Sequence, residues 1–428
     1  MNKYFLLFLI LIYGCSFNSN SSFWSKTKKT QIDKNLTKTL FKNIEPNINE
    51  FNPNLKITLP TVKTNILNYN LNNDGFTSDI ISSDKFSKFK FSKIENFSDY
   101  EPNILVSENN LFFFDNDGTI IKFNKKSEII WKKNYYSKTE KKNNPILFIA
   151  LDARNLFIAD TNANYYSLNI KNGNLKWKKK HTSSFNSQIK IKDGKALIVD
   201  MENNLKCISL KNGKILWSVP TEITIVSSQK KHSVVLIEDT ILFTNSVGDL
   251  TAVDFETGDI IWQTPTRTLD FSKNITLRIS DIVSDKKNVY LSNNKNEFIS
   301  MNINTGTTNW KQSINSELRP AVISDYIVTV SNEGLLIIIN KNTGDIIRIN
   351  DLLKNIKKKK RKDYFPVGFV VVSDKLYLTT MNGRLFVVDF FDGSVDKILK
   401  LDSDKLQRPV YFNKSLYIIK DNSIIRIN

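Results

Sequence analysis

The stretch AVDFETGDIIW, residues 252–262, decides the fold. It reads as two short β-type runs around a tight turn, with a tryptophan closing the second run. The chain repeats it: NGNLKW ends at Trp177, NGKILW at Trp217 and TGTTNW at Trp310. KSEIIW ends at Trp131, and the weaker copies TGDIIR and DGSVDK end at Arg348 and Lys397. Spacings of the tryptophan slot run from 38 residues (Trp310 to Arg348) to 49 (Arg348 to Lys397). That is the blade length of β-propellers, about 40–50 residues.

Two turns hold constant places inside each copy. Four residues before the slot stand Gly173, Gly213, Gly258, Gly306, Gly344 and Gly393. Fourteen before it stand Ala163, Asn203, Gly248, Asn296, Gly334 and Gly383, with Gly118 at thirteen in the first copy. Glycine and asparagine tolerate the positive φ that such turns need. Upstream of each hairpin lie two more β-type runs, as in AVISDYIVTVSNEGLLIIINKNTGDIIR, residues 321–348. Each unit is then one four-stranded antiparallel sheet. A lone sheet of this size cannot bury both faces, whereas stacking the units around an axis and closing the ring does so. The expected fold is all-β, an eight-bladed propeller over 83–428. The eighth copy, RPVYFNKSLYIIKDNSIIRIN, stops at Asn428 before its second turn and lacks an outer strand. KFKFSKI, residues 88–94, stands before the first full unit and is expected to supply that strand and close the ring. Trp131, Trp177, Trp217, Trp262 and Trp310 are expected to wedge between adjacent blades.

Composition limits the chemistry. The chain has 428 residues, 40% of them hydrophobic, and a formal net charge of +18, which disfavours cation binding and permits an anionic partner. Its two cysteines, Cys15 and Cys207, supply no disulfide framework. Its two histidines, His181 and His232, stand apart and give little support to a histidine metal site or a catalytic triad. No metal, cofactor, catalytic residue or nucleic-acid partner is expected. Cys207 occupies a small-residue slot in its copy, as a buried inert thiol would. DNDG, residues 115–118, starts like a calcium loop but occupies a blade-turn slot and lacks the remaining ligands.

The N-terminus, MNKYFLLFLILIYGC, has one lysine, an apolar run of about ten residues and a small residue before Cys15. Such a run is short of the ~20 residues that span a bilayer. It resembles the bacterial lipoprotein signal, which implies cleavage after residue 14, lipid attachment at Cys15, and an outer-membrane location, since Ser16 rather than aspartate follows the cysteine. Residues 15–82 are read as the lipidated cysteine and a flexible tether. The part up to 60 is rich in Asn, Ser, Lys and Thr, and 61–82 could pack on the body.

The pattern A-x-D-x-x-T-G-x-x-x-W, matched in full by Ala252, Asp254, Thr257, Gly258 and Trp262, resembles the pyrroloquinoline-quinone-type propeller repeat. Two families share it. Quinoprotein dehydrogenases use adjacent cysteines and a calcium set that this chain does not match. The BamB lipoproteins of the outer-membrane β-barrel assembly machine combine a lipoprotein signal, a tether and an eight-bladed propeller without cofactor. That resemblance implies a non-enzymatic scaffold, lipid-anchored at the outer membrane and facing the periplasm, that docks on POTRA domains of the central barrel subunit and aids insertion of outer-membrane proteins. Unfolded outer-membrane proteins are a further expected partner. In RISDIV, residues 278–283, the family's docking loop is matched by Arg278, Ser280 and Asp281, while Val283 replaces its second aspartate. A turn-capping carboxylate is the alternative for Asp281. The second docking loop falls at Val226, Ser228 and Gln229, where the family's arginine is absent. Val226 or Ile282 would be an apolar anchor. The rival readings are a quinone-dependent dehydrogenase and a surface-anchored binder of sugars or polyanions. KKKKRK, residues 357–362, is either a solvated loop or a contact for acidic headgroups.

Overall fold

Residues 252–262 span the third and fourth strands of an antiparallel sheet built in chain order from Val234–Ile237, Thr240–Thr244, Asp249–Asp254 and Ile260–Pro265. The computed structural model describes residues 50–58, 76–77, 86–94, 101–107, 109–222, 230–266 and 277–428. Within them the sheet recurs eight times as an eight-bladed propeller. Blade 1 runs from Leu105–Ser107 to Ile129–Lys133, blade 2 from Leu147–Leu151 to Leu175–Lys180, and blade 3 from Lys190–Lys192 to Ile215–Val219. Blade 4 is the sheet just described. Blade 5 runs from Val283–Ser284 to Thr308–Gln312, blade 6 from Ala321–Ile323 to Ile346–Asp351, and blade 7 from Pro366–Val372 to Val395–Lys400. Blade 8 has Val410–Phe412, Ser415–Lys420 and Ser423–Ile427, with Phe86–Lys90 as its outer strand.

That outer strand closes the ring. Phe86–Lys90 pairs antiparallel with Ser423–Ile427, with Phe89 opposite Ile424. It begins two residues before the 88–94 segment, whose remainder follows the same edge through Phe91 N–H to Asn422 O and Ile94 N–H to Asp421 O. Phe89 is buried and meets the Phe123 ring of blade 1 edge-on, with centroids 5.5 Å apart.

The repeat motif is explained by its turns. Oδ1 of Asp254 accepts the backbone N–H of Glu256 at 2.9 Å and of Thr257 at 2.8 Å, and Gly258 N–H returns to Asp254 O at 3.0 Å. Thr257 Oγ1 accepts Asp259 N–H at 3.1 Å. Asp, Thr and Gly thus satisfy the donors of one tight loop, and asparagine does the same at Asn302 and Asn340. DNDG is a turn of this kind, with Asp115 Oδ1 accepting Thr119 N–H at 2.8 Å. One residue before each tryptophan slot, blades 1 to 7 carry a register shift between the third and outer strands. Such bulges bend an edge and increase its twist.

The apolar core lies mainly in the seams. Separate clusters sit between blades 3 and 4, 4 and 5, 5 and 6, 6 and 7, and 7 and 8, and one larger cluster joins blades 8, 1, 2 and 3. The five tryptophans are half-buried on outer strands, each against the next blade's turn glycine. A Cβ at Gly258 would fall 2.8 Å from the Trp217 ring, and one at Gly213 2.5 Å from Trp177. Gly173 meets Trp131 in this way, Gly306 meets Trp262, and Gly344 meets Trp310. Three of these rings also donate Nε1–H across the seam: Trp177 to Leu210 O at 3.0 Å, Trp262 to Ile303 O at 2.7 Å and Trp310 to Lys341 O at 3.0 Å. Cys207, opposite Trp217, is buried, and burial pushes its thiol up to about 11.

Arginine replaces this device at two seams. Arg348, in the slot of blade 6, is fully buried and donates to the carbonyls of Phe390, Phe391 and Leu55. Leu55 belongs to residues 50–58, which the sequence assigns to the tether and which lie along the seam of blades 6 and 7. Phe51 bridges Ile349, Ile57 enters the core of that seam, and Ile57 N–H reaches Phe391 O. At the closing seam, Arg426 of blade 8 donates to Lys125 O of blade 1 at 2.8 Å. Further along the chain, the backbone of Phe76–Thr77 pairs parallel with Val371 and Val372 on the innermost strand of blade 7.

Candidate partner-docking face

The segments that link one blade's outer strand to the next blade's inner strand meet on one face of the ring. They enclose an open cavity of about 720 Å3. Its charged lining comprises Lys230, Lys231, Arg278, Arg319, Lys362, Lys405 and Arg408 against Glu101, Asp281, Glu317 and Asp363. Pro366 and Val367 of blade 7 line it, whereas Phe76–Thr77 pairs at the other end of the same strand.

Asp281 lies in the cavity wall, 3% exposed, with Oδ2 2.9 Å from Nη1 of Arg408. Arg408 also places Nε 3.2 Å from Glu101 Oε1. Burial disfavours the Asp281 carboxylate, but Arg408, with Lys231, Lys230 and Arg319, outweighs it and holds Asp281 well below the usual carboxylate range. The carboxylate is thus engaged by its own chain. Its hydrogen bond comes from Arg408 rather than from a turn N–H; beside it, Ser280 Oγ accepts Ser292 N–H of the neighbouring strand at 2.9 Å. Arg278 differs, with a side chain 52% exposed and 3.5 Å from Glu317. Ile282 is buried in the core between blades 4 and 5 and its N–H is bound by Ser233 Oγ, so it is no surface anchor. Val226, Ser228 and Gln229 lie outside the described residues.

Other members of the face were not legible in the sequence. Lys231 Nζ donates to Glu101 O at 2.5 Å and Asn103 Oδ1 at 2.8 Å, and Lys230 Nζ to Glu317 O at 2.6 Å. These bonds tie the entries of blades 1, 4 and 6 together. Burial lowers both lysines, and burial together with Arg319 pushes Lys190 down to about 7. Apolar surface is also exposed here, at Phe365 (41%) and Met381 (44%). Residues 357–362 form the rim beside them, as a short helix, Lys358–Arg361, leading into a 3-10 turn, Lys362–Tyr364. Arg361 is held by Asp351 at 2.8 Å, while Lys357, Lys358, Lys359 and Lys360 are exposed.

A calcium-bound quinone does not fit these donors. Asp281 and Glu101 engage Arg408, and Glu317 engages Arg278, so these three lining acids serve guanidinium groups rather than a cation site. Among the described residues no group of three or more His, Cys, Asp or Glu side chains is arranged to hold a metal. No described helix is long and apolar enough to cross a membrane.

Residues 105–350 match the family of the outer membrane protein assembly factor BamB. The chain belongs to the BamB family. Among its relatives, an uncharacterised protein of Rickettsia conorii is 21% identical over 321 residues, covering 70% of this chain and 76% of the relative. BamB of Alkalilimnicola ehrlichii is 25% identical over 202 residues, covering 45% of this chain and 48% of that protein. The crystal structure of BamB from Moraxella catarrhalis superposes with a TM-score of 0.64 at 15% identity, over 80% of this chain and all of that one. A europium-containing methanol dehydrogenase gives 0.64 at 10% identity, over 83% and 90%. These likenesses establish a shared propeller, common to BamB and to dehydrogenases.

Proposed function

We propose that this BamB-family chain is a non-enzymatic scaffold of the outer-membrane β-barrel assembly machinery, anchored through a lipid on Cys15 and facing the periplasm. Its inter-blade-loop face docks on POTRA domains of the central barrel subunit and aids insertion of outer-membrane proteins. The family match over 105–350 carries this reading. The engagement of the cavity's acids by arginines speaks against the dehydrogenase alternative.

Within that reading, Arg278 is the direct contact, because its guanidinium is exposed at the rim and suits a carboxylate of the partner. Ser280 and Asp281 position the loop, Asp281 by holding Arg408. Val226 and Gln229, in the segment that corresponds to the family's second docking loop, are assigned as a second contact. The five tryptophans keep the blades in register and so keep these loops in fixed relation.

The test is recovery of the barrel subunit with the intact lipoprotein from solubilised membranes. Arg278→Glu reduces that recovery while thermal unfolding stays unchanged. Equal recovery removes Arg278 from the interface, and absence of any barrel subunit from the wild-type preparation removes the function. Asp281→Ala is a poorer probe. It removes one of the two carboxylates that face buried Arg408, and breaking a buried pair costs about 3–5 kcal/mol.

A further inference from the structure

We infer that the axial cavity is a peptide-binding site that takes an extended acidic segment carrying apolar side chains. Phe76–Thr77 adds a fifth strand to blade 7 at the end of its inner strand remote from the cavity-lining Pro366 and Val367. Seven basic side chains line the cavity against four acidic ones, and three of those acids are engaged by arginines of the same wall. Lys230 and Lys231 donate to carbonyl and amide oxygens, which hold the two ammonium groups in the cavity wall. An entering carboxylate gains most where cations are partly withdrawn from water. The lysines of residues 357–360 continue this charge out over the rim.

Charge alone would suit phosphate or an acidic headgroup equally well. Phe365 and Met381 decide for a peptide. Both expose large apolar side chains in the mouth, beside Lys362 and the amide of Asn382. Apolar contact, an amide partner and cations in one cleft match a chain that alternates carboxylates with apolar side chains. The volume, about 720 Å3, is in the range of ~300–1,000 Å3 that ligand clefts occupy and holds a few residues of an extended chain.

The inference rests on the docking face assigned above, and the assay separates the two by using the purified protein alone. The probe is a fluorescein-labelled synthetic octapeptide alternating Asp and Phe, read by anisotropy. Its Asn–Phe counterpart, inorganic phosphate and vesicles containing phosphatidylglycerol serve as comparison ligands. Saturable binding of the acidic peptide is expected, weakened by high salt and about tenfold by Lys362→Glu combined with Lys405→Glu, as loss of a charge-assisted contact implies. Met381→Asp weakens it as well, and circular dichroism confirms that each variant stays folded. Equal binding of the Asn–Phe peptide, no loss in the double variant, or displacement by phosphate would overturn the proposal. So would binding of vesicles without binding of the peptide. Peptide binding without recovery of the barrel subunit from membranes would keep this site and remove the function proposed above.

Discussion

Nη2 of Arg348 donates to the carbonyl oxygen of Phe390 at 2.8 Å, one residue past the turn-capping Asp389. At three other seams a tryptophan N–H uses the equivalent acceptor, at Leu210, Ile303 and Lys341. Arg348 therefore keeps the seam's hydrogen bond while its second nitrogen, Nη1, reaches Leu55 and fastens residues 50–58. Burial lowers this guanidinium to about 10, so it stays charged at neutral pH.

Arg348→Met removes the donor to all three carbonyls, and a hydrogen bond to a charged group contributes about 1.5–3 kcal/mol. The denaturant midpoint falls, and limited proteolysis gains a cut within 50–58. Arg348→Trp recovers part of the midpoint by restoring a donor to Phe390, but leaves the new cut. A methionine variant as stable and protease-resistant as the parent contradicts this account of the seam.

Gly258 and Gly194 both have positive φ, at 81° and 71°, but only Gly258 faces a ring; a Cβ at Gly194 meets nothing within 4 Å. Left-handed backbone alone costs an L-residue about 1–2 kcal/mol. Gly194→Ala shows that cost and Gly258→Ala exceeds it, because Trp217 must move. Equal losses in urea unfolding would mean that the tryptophan contact contributes nothing.

His232 is buried, and burial pushes it down to about 4 despite the field of Asp200. A histidine with a lowered folded pKa is neutral in the fold and takes up a proton on unfolding. Its favourable effect is complete above its unfolded pKa near ~6.5 and is lost as pH falls toward 4. From pH 7 to 5 the loss is about 2 kcal/mol. His232→Gln flattens that part of the stability–pH curve; an unchanged slope would assign the acid sensitivity to other groups.

Phe89→Asp puts a carboxylate into the core that joins blades 8 and 1. The outer strand detaches and uncovers the edge of Ser423–Ile427, and uncovered edges pair with other chains. Light scattering is expected to show soluble oligomers. A monomer with native circular dichroism would show that the closing strand is dispensable.

The blades were legible because their cause is local. Asp254, Thr257 and Gly258 make one turn within a few residues, and Trp262 follows at fixed distance. Ring closure was legible by subtraction, as an incomplete eighth unit and an orphan strand near Phe89. Where partners are far apart the sequence was silent. Arg348 reads as a decayed tryptophan slot, since Leu55 lies 293 residues away. Asp281 reads as an outward-facing acceptor, since Arg408 lies 127 residues away, at the start of the eighth copy. Glu101, Lys230 and Lys231 were missed for the same reason: each sits in a linker, and only the ring brings the linkers together.

Phe86–Lys90 is synthesised before any blade, and Ser423–Ile427 after all of them. The latch therefore cannot shut until the other seven blades have been made. Until the final strand arrives, the nascent wheel stays split, with an early strand waiting unmated and the late edge not yet made. Contacts between such distant stretches form slowly, so the interval between the last blade and the snap of the latch is when this chain is most exposed to misassembly with its own copies.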